Sequence, residues 1–385
     1  MEERRSSDAG GKAMKRIEDV NDRGFGDILD FINSGVYITD TDRRIVFWNR
    51  AAERITGYSS DEVVGRRCRD NILMHVDRQG RSLCTTENCP LYRSIVRNRP
   101  SDAPVVVYGK AKSGDRLPMS TSVAPVLDDD GNVIGGVEIF RDERENIREM
   151  ELAQVVQRQM ITREPPEDDR LVFAVQYAPK ELIGGDFCHV RRLSGDTFTV
   201  FVGDAAGHGT PAALYSALTY SFFMEHEDLL PDPAGLIAAI NAKACQRATG
   251  LGFFTAVSAL IDLSQRSVTY CSAGHPPPIL QRAGDGQAEL LKLSHLPVVT
   301  YDEAEYENET VDLSSGDRLL LYTDGATDIR ISEEERLGIK GLAALVAGTR
   351  PEDDKHLTGL VEALWERCID IEPDDDITLV SCLLV

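Results

Sequence analysis

Four acidic motifs in the second half of the chain stand at the ends of apolar, strand-like runs, three of them beside glycine. They are Gly184-Gly185-Asp186, Gly203-Asp204-Ala205, Thr323-Asp324-Gly325 and Asp374-Asp375-Asp376. A single aspartate beside a glycine usually marks a turn. Four carboxylates gathered at neighbouring strand ends would repel one another unless a cation joined them, and such oxygen ligands select hard ions such as Mg²⁺ or Mn²⁺. The chain must therefore fold so that distant strand ends can meet around an acidic site.

The charge balance narrows the classes of partner. The 385 residues include 42 Lys and Arg against 64 Asp and Glu, for a net charge of −22. This excess argues against binding nucleic acid, because phosphate contacts need clustered Lys and Arg, and against docking on an anionic membrane. No apolar run approaches the ~18 residues of a membrane-spanning helix, and the polar N-terminus lacks a signal-peptide core. With cysteines too sparse for a disulfide scaffold, we expect a cytoplasmic protein.

Composition divides the chain into four parts. Residues 1–24 are charged and are expected to be a flexible lead-in. Residues 25–140 are predicted to form a compact α+β unit, and residues 141–165 a helical linker. In residues 166–385 strand-like runs often follow one another directly, which favours antiparallel hairpins with helices outside them.

The linker carries one apolar stripe. It consists of residues spaced three or four apart on a helix: Ile147, Met150, Ala153, Val156 and Met160. A narrow stripe on a charged helix is typical of a helix that pairs with its own copy as a coiled coil. Packing of the helix on its own domain explains the same periodicity, and the sequence leaves both interpretations open.

The motifs of the second unit occur in a diagnostic order. They are Gly-Gly-Asp, Gly-Asp-x-x-Gly-His-Gly, Ala-Gly-His-Pro-Pro, Gly-Asp-Arg-Leu-Leu-Leu-Tyr-Thr-Asp-Gly and Asp-Asp-Ile-Thr. This order resembles the bacterial PPM/PP2C-type serine/threonine phosphatases, in particular the SpoIIE/RsbU-like subgroup. The resemblance implies an α-β-β-α sandwich with two divalent cations, Mn²⁺ or Mg²⁺, at one end.

The same resemblance assigns roles to individual residues. Asp204 would bridge both cations, and Asp186 would bind one of them. Ala205 would offer its backbone carbonyl, and Asp324 and Asp375 would complete the second cation's ligands.

Other positions in these motifs allow more than one role. In the Asp-Asp-Ile-Thr motif, Asp376 is the alternative to Asp375 as ligand. Cys188-His189 stands where the family has Tyr-Asp, so a second acidic residue is missing there. His208 either donates a proton to the leaving oxygen or shapes the turn into the following helix. His275, followed by prolines, is more typical of a packed turn.

The first unit resembles a PAS sensor domain. The resemblance rests on the segment from Ile45 to Tyr58, followed by Ser59 to Gly65. Within it, Asn49 is expected to cap a helix, and Ser59 with Glu62 to form a capping box. The resemblance implies a five-stranded sheet with a helical face that holds a ligand or serves dimerisation.

Four residues in the first unit are not generic for such a domain: Cys68, His75, Cys84 and Cys89. Three thiols and an imidazole form a complete tetrahedral set for zinc and are soft enough for an iron–sulfur centre. Their spacing contains no Cys-x-x-Cys pair. Metal binding, a redox-switchable pair and plain packing therefore all remain open.

Together these features predict a PAS-regulated, metal-dependent protein serine/threonine phosphatase. By resemblance its substrate would be a phosphorylated anti-sigma-factor antagonist of the STAS type, and the protein would be a homodimer through the linker helix and the PAS domain. A catalytically silent phosphoprotein-binding regulator is one alternative. A metal-dependent nucleotide phosphodiesterase is another, which the acidic charge and the lack of a phosphate-cradling loop disfavour.

Overall fold

The computed structural model divides into two compact units, Met1–Glu149 and Met150–Val385. The prediction for residues 1–24 falls almost wholly outside the described residues. These run from 23 to 385, except for positions 71, 78–79, 85–87, 102–103, 162–163, 249, 251, 285, 292–294, 333, 352–355 and 369–373.

The first unit has the five-stranded antiparallel sheet that the PAS resemblance implies, with strand order β2-β1-β5-β4-β3. Its elements are α1 (Arg23–Asp30), β1 (Gly35–Asp40), β2 (Ile45–Trp48), α2 (Arg50–Thr56), α3 (Ser60–Val63), α4 (Pro90–Arg97), β3 (Val105–Lys110), β4 (Arg116–Leu127) and β5 (Val133–Asp142). Buried residues of α2, α3 and α4 pack with those of the sheet in one hydrophobic cluster.

Local hydrogen bonds define the start of the helical segment. Oδ1 of Asn49 accepts the backbone N–H of Ala52 at 2.8 Å, which caps α2, and the backbone N–H of Val36 at 2.9 Å, which ties the cap to β1. Ser59 and Glu62 form the predicted capping box at α3. Both caps satisfy N–H groups that a helix leaves without intrahelical partners, so the sequence alone was sufficient to predict them.

The PAS core contains one buried carboxyl group. Glu138 on β5 is 1% exposed, and its Oε2 accepts the hydroxyl of Tyr37 at 2.7 Å. Its Oε1 has no hydrogen-bond partner within the described part of the chain and lies 3.7 Å from Nε2 of His75, which is also buried. Burial raises the pKa of Glu138, an effect that His75 and the Tyr37 hydroxyl partly offset.

The linker forms one continuous helix, α5 (Arg144–Ile161). Its inward contacts are polar: the Gln157 amide donates to the carbonyl of Gly184 at 2.7 Å and accepts its N–H at 3.2 Å, and Gln154 donates to the carbonyl of Leu182 at 2.6 Å. Val156 of the apolar stripe is 59% exposed. Of the two interpretations that the sequence leaves open, packing of the stripe on the helix's own domain therefore does not hold for this residue. Buried backbone groups need hydrogen-bond partners, and glutamine supplies them where valine cannot.

The second unit contains two antiparallel sheets, in strand orders β13-β10-β9-β8-β7 and β12-β11-β14-β15-β6. The strands are β6 (Leu171–Ala178), β7 (Asp186–Arg192), β8 (Thr197–Ala205), β9 (Phe254–Asp262), β10 (Ser267–Ala273), β11 (Ile279–Gln281), β12 (Ala288–Leu290), β13 (Glu309–Asp312), β14 (Arg318–Tyr322) and β15 (Ile377–Leu384). The helices are α6 (Gly209–Glu225), α7 (Pro233–Arg247), α8 (Gly338–Gly348) and α9 (Thr358–Arg367). Across the described residues, no helix is long and apolar enough to cross a membrane.

Three hydrophobic clusters show how these layers stack. One cluster joins apolar residues of β7 to β10 to those of β6, β14 and β15, so the two sheets pack face to face. A second fills the space between the first sheet and helices α6 and α7, and a third lies between the second sheet and helices α8 and α9. The order of layers is helix, sheet, sheet, helix, which confirms the predicted α-β-β-α sandwich.

The substitution Glu138→Gln is expected to stabilise the PAS domain at neutral pH. Burial raises the pKa of Glu138 in the folded state above its ordinary value of about 4.3, so the folded state holds the proton more tightly. The free energy of unfolding of the wild type therefore falls as the pH rises from the unfolded-state pKa to the folded-state pKa. Glutamine stays neutral and still accepts the Tyr37 hydroxyl. Calorimetry between about pH 5 and pH 8 should show that the Tm of Glu138→Gln exceeds that of the wild type by an amount that grows with pH. The exposed control Glu149→Gln should show no such trend, and an equal effect of both substitutions would contradict the prediction.

Candidate metal centre

The first two carboxylates face each other across neighbouring strands. Asp186 opens β7 and Asp204 stands next to last in β8, and the antiparallel register places these residues opposite each other. The backbone N–H of Ala205 donates to the carbonyl of Gly185 at 3.3 Å, which joins the two strand ends. Hydrogen bonding between adjacent strands therefore brings together ligand candidates that the sequence separates.

The second sheet holds Asp186 in place. Oδ2 of Asp186 accepts the hydroxyls of Thr323, which follows β14, and Thr378 in β15, each at 2.7 Å. Asp186 is 1% exposed, and its Oδ1 has no hydrogen-bond partner among the residues that the structure describes. A buried carboxylate oxygen without a donor is costly, so Asp186 offers a lone pair that suits a cation.

Asp324 and the aspartates that precede β15 complete the acidic cluster. Asp324 opens a short 3₁₀ helix directly after β14. A β-carbon at Gly325 would lie 2.0 Å from the carbonyl oxygen of Asp376, so only glycine lets these two segments approach so closely. The structure thus brings together the four aspartates that the sequence singled out.

The electrostatics confirm that these carboxylates are neighbours. Burial raises the pKa of Asp204, and the negative charges of Asp324 and Asp375 raise it further. Burial also raises the pKa of Asp186, with additional contributions from Asp204 and Asp376. Such mutual shifts are characteristic of functional sites and of cation-binding clusters.

The carboxylate of Asp376 is engaged in hydrogen bonds to the backbone. Its two oxygens accept the backbone N–H groups of Lys180 at 2.8 Å and Gly185 at 2.6 Å, and the residue is 3% exposed. These bonds tie the β6–β7 loop to the start of β15. With its carboxylate engaged in this way, Asp376 is a poorer ligand candidate than the half-buried Asp375. The assignment of Asp375 stays a prediction.

The donor set fits a hard divalent cation. Among the described residues, no three His, Cys, Asp or Glu side chains form a ready-made group that could hold a metal ion. The aspartates lie within electrostatic reach of one another without closing on one point, as repulsion between like charges predicts. Their oxygens, together with a backbone carbonyl, suit Mg²⁺ or Mn²⁺ better than a soft metal.

Beside the acidic cluster lies a carboxylate–imidazole pair. His208 is the N-cap residue of α6, and its Nδ1 lies 2.9 Å from Oε1 of Glu181 on the β6–β7 loop. Both side chains are about half exposed. Sequence analysis missed Glu181, because nothing in its polar loop indicates a contact with a residue far along the chain. His275, in contrast, is 6% exposed, which confirms that it is packed.

The PAS cysteines behave as buried packing groups. Cys68, Cys84, Cys89 and His75 are all buried, and the His75 backbone N–H donates to the Cys84 sulfur at 3.0 Å. Burial raises the pKa of Cys84 to about 12 and that of Cys68 still higher. Buried thiols with so little thiolate character are poor redox sensors. The absence of a ready-made metal group among the described residues also gives no support to the zinc or iron–sulfur hypothesis.

Two family models match separate parts of the chain. Residues 194–383 match the model of stage II sporulation protein E (SpoIIE), and residues 33–145 match that of a PAS domain.

Two curated relatives come from Bacillus subtilis. The phosphoserine phosphatase RsbP is 25% identical over 185 residues, which are 47% of this chain and 45% of RsbP. The phosphoserine phosphatase RsbU is 26% identical over 187 residues, which are 47% of this chain and 54% of RsbU. The chain thus spans about half the length of these relatives.

Solved structures share the fold. The SiaA-PP2C domain of Pseudomonas aeruginosa aligns with a TM-score of 0.54 at 21% identity, covering 62% of this chain and 97% of that domain. The PP2C phosphatase domain of SpoIIE from Bacillus subtilis, with a fragment of its regulatory domain, aligns with a TM-score of 0.50 at 18% identity. The alignment covers 74% of this chain and 80% of that structure. Residues 194–383 are thus similar to SpoIIE in sequence, the second unit shares the fold of PP2C phosphatase domains, and residues 33–145 are similar to a PAS domain.

Proposed function

We propose that this protein is a metal-dependent phosphoprotein phosphatase regulated by its PAS domain. The observation that carries the proposal is the convergence of four aspartates from four separate strand ends into one acidic cluster. Within it, burial and neighbouring carboxylates raise the pKa values of Asp186, Asp204 and Asp324. A merely binding module would have no need to hold four like charges in an unfavourable arrangement. The names of RsbP and RsbU, both phosphoserine phosphatases, support a phosphorylated protein as substrate.

Each part of the cluster has a defined role in this proposal. The ligands would be Asp186, Asp204, Asp324, Asp375 and the carbonyl of Ala205. Two divalent cations held there, Mn²⁺ or Mg²⁺, would supply an activated water and would stabilise charge on the phosphoryl group.

The residues around the ligands orient them and handle the proton. The hydroxyls of Thr323 and Thr378 orient Asp186, and Asp376 fixes the β6–β7 loop. His208 stands at the exposed side and donates the proton that the leaving serine or threonine oxygen requires. This arrangement needs no nucleophilic side chain.

The substrate that we propose is a phosphorylated anti-sigma-factor antagonist of the STAS type in a partner-switching pathway. The support is the match to the SpoIIE family model and to RsbU and RsbP, together with the acidic net charge, which disfavours nucleic acid. An exposed proton donor beside the acidic cluster also suits a substrate presented from the surface of another protein.

The linker helix supplies a route for regulation. Through Gln154 and Gln157 it is hydrogen-bonded to the backbone just before Asp186. On another side it exposes Leu152, Val155 and Val156, which are 69%, 55% and 59% exposed. We infer that these apolar residues pair with a second copy of the chain, so that the PAS domain and the dimer act on the loop that carries Asp186.

Phosphatase activity should depend on Mn²⁺ and on Asp204. With Mn²⁺, the protein is expected to release phosphate from 4-nitrophenyl phosphate and from a phosphorylated STAS-type protein. Asp204→Asn removes the ligand predicted to contact both cations, so kcat/KM should fall at least about 10³-fold. Phosphate release measured with and without Mn²⁺ checks this expectation.

The matched control for that experiment is Asp228→Asn, an exposed aspartate outside the cluster, which should keep full activity. If the protein binds the phosphoprotein but releases no phosphate, it is a silent regulator. Hydrolysis of a nucleotide diester but of no phosphoprotein would make it a phosphodiesterase. Either outcome would overturn the proposal.

Metal binding should also be visible as a change in stability. Mn²⁺ that binds only the folded state raises Tm, and it removes the repulsion among the aspartates. Asp204→Asn deletes one of the repelling charges, so without metal the variant should be at least as stable as the wild type, and its Tm should respond less to Mn²⁺. Thermal melting in EDTA and in Mn²⁺ measures both effects. An equal Mn²⁺ response in the two proteins would place the metal elsewhere.

Charges on the exposed apolar face of α5 should abolish dimerisation. In the double variant Leu152→Glu, Val156→Glu, burial of two carboxylates would oppose pairing of the helices, so light scattering should give a monomer and phosphatase activity should change. Glu151→Lys, which exchanges one exposed charge for another on the same helix, is the control. Unchanged oligomeric state and unchanged activity in the double variant would refute the role of the linker.

A further inference from the structure

We propose that Glu181 is a positioning residue for His208, which it holds in the orientation and tautomer needed to protonate the leaving oxygen of a phosphoserine or phosphothreonine protein. This inference rests on the phosphatase function proposed above and identifies what activates its proton donor.

The pair connects the loop before Asp186 to the turn that follows Asp204 and Ala205. Glu181 lies on the β6–β7 loop ahead of Asp186, and His208 follows Asp204 and Ala205 at the end of β8. Nδ1 of His208 and Oε1 of Glu181 lie 2.9 Å apart, a normal hydrogen-bond distance. The imidazole is thereby tied to the rim of the acidic cluster.

Backbone conformation makes room for this contact. Gly209 has φ of +73°, a conformation that other residues rarely adopt. A β-carbon there would also lie 2.9 Å from both carboxylate oxygens of Glu181. The positive φ accounts for glycine at this position, and the missing β-carbon leaves room for the Glu181 carboxylate against the backbone at the start of α6.

The hydrogen bond defines which nitrogen exchanges the proton. A carboxylate only accepts hydrogen bonds, so Nδ1 of His208 must be the donor in the pair. Nε2 is then the nitrogen that gains and loses the catalytic proton.

The reaction balances with this proton. The bond between phosphorus and the serine oxygen breaks, and the leaving oxygen takes the proton from Nε2 of His208. A water oxygen forms the new bond to phosphorus and releases one proton, and His208 regains a proton from solvent. The net change is hydrolysis of one phosphate monoester.

The test compares two substrates whose leaving groups differ in their need for a proton. A serine alkoxide is a poor leaving group that needs the proton, whereas 4-nitrophenolate departs as a stable anion without it. Glu181→Gln should therefore lower kcat for a phosphoserine protein about tenfold or more while kcat for 4-nitrophenyl phosphate stays nearly unchanged. His208→Asn, which keeps a good N-cap residue, should show the same selectivity with a loss of about 100-fold or more.

Two controls separate positioning from a structural role. Glu227→Gln removes a carboxylate that pairs with Arg191 at 2.8 Å elsewhere in the same domain, and it should leave both activities intact. Mn²⁺ affinity measured by calorimetry and Tm should be the same in Glu181→Gln as in the wild type.

The outcomes distinguish the inference from the function on which it rests. If the wild type with Mn²⁺ hydrolyses neither substrate, the proposed function fails. If it hydrolyses both, and Glu181→Gln leaves both rates unchanged or lowers both by the same factor, the role of Glu181 is refuted. A loss of Mn²⁺ affinity in Glu181→Gln would also refute it, because the carboxylate would then act on the metal ligands.

Discussion

Repulsion among buried carboxylates is the constraint on which the catalytic half of this protein depends. Burial and the charges of Asp324 and Asp375 raise the pKa of Asp204, and burial with Asp204 raises that of Asp186. An isolated loop could relieve such repulsion by moving apart. Here the carboxylates stand at the ends of hydrogen-bonded strands in two tightly packed sheets, so the sandwich core opposes their separation. The core thus maintains an arrangement that a divalent cation would stabilise.

The acidic cluster was predictable from the sequence because each aspartate is next to an apolar run, and strand ends in a sandwich meet at its edges. The choice between Asp375 and Asp376 was not predictable, since the two residues are adjacent and chemically identical. The structure separates them by their partners. Asp376 accepts two backbone N–H groups from the β6–β7 loop, at 2.8 Å and 2.6 Å, and such long-range contacts leave no local pattern in a sequence.

The linker shows where reasoning from apolar periodicity fails. The spacing of apolar residues predicts the helix correctly, and α5 spans Arg144–Ile161. It does not predict which face turns inward, because the loop before Asp186 presents backbone carbonyls and an N–H that need partners. Gln154 and Gln157 meet that need, and Val156 remains exposed. Since one rigid helix carries both faces, any rotation that changes the packing of the apolar side also displaces the glutamines.

The chemical type of the neighbours explains how the cluster keeps its negative charge. In the described part of the chain, Asp186 and Asp376 accept hydrogen bonds from threonine hydroxyls and backbone N–H groups, all of them neutral donors. A lysine or arginine in those places would neutralise the carboxylates and compete with a cation. Neutral donors orient the oxygens without cancelling their charge. The carboxylate of Glu181 instead contacts the imidazole of His208 at the exposed rim, where it orients the ring and does not compete for the ligand oxygens.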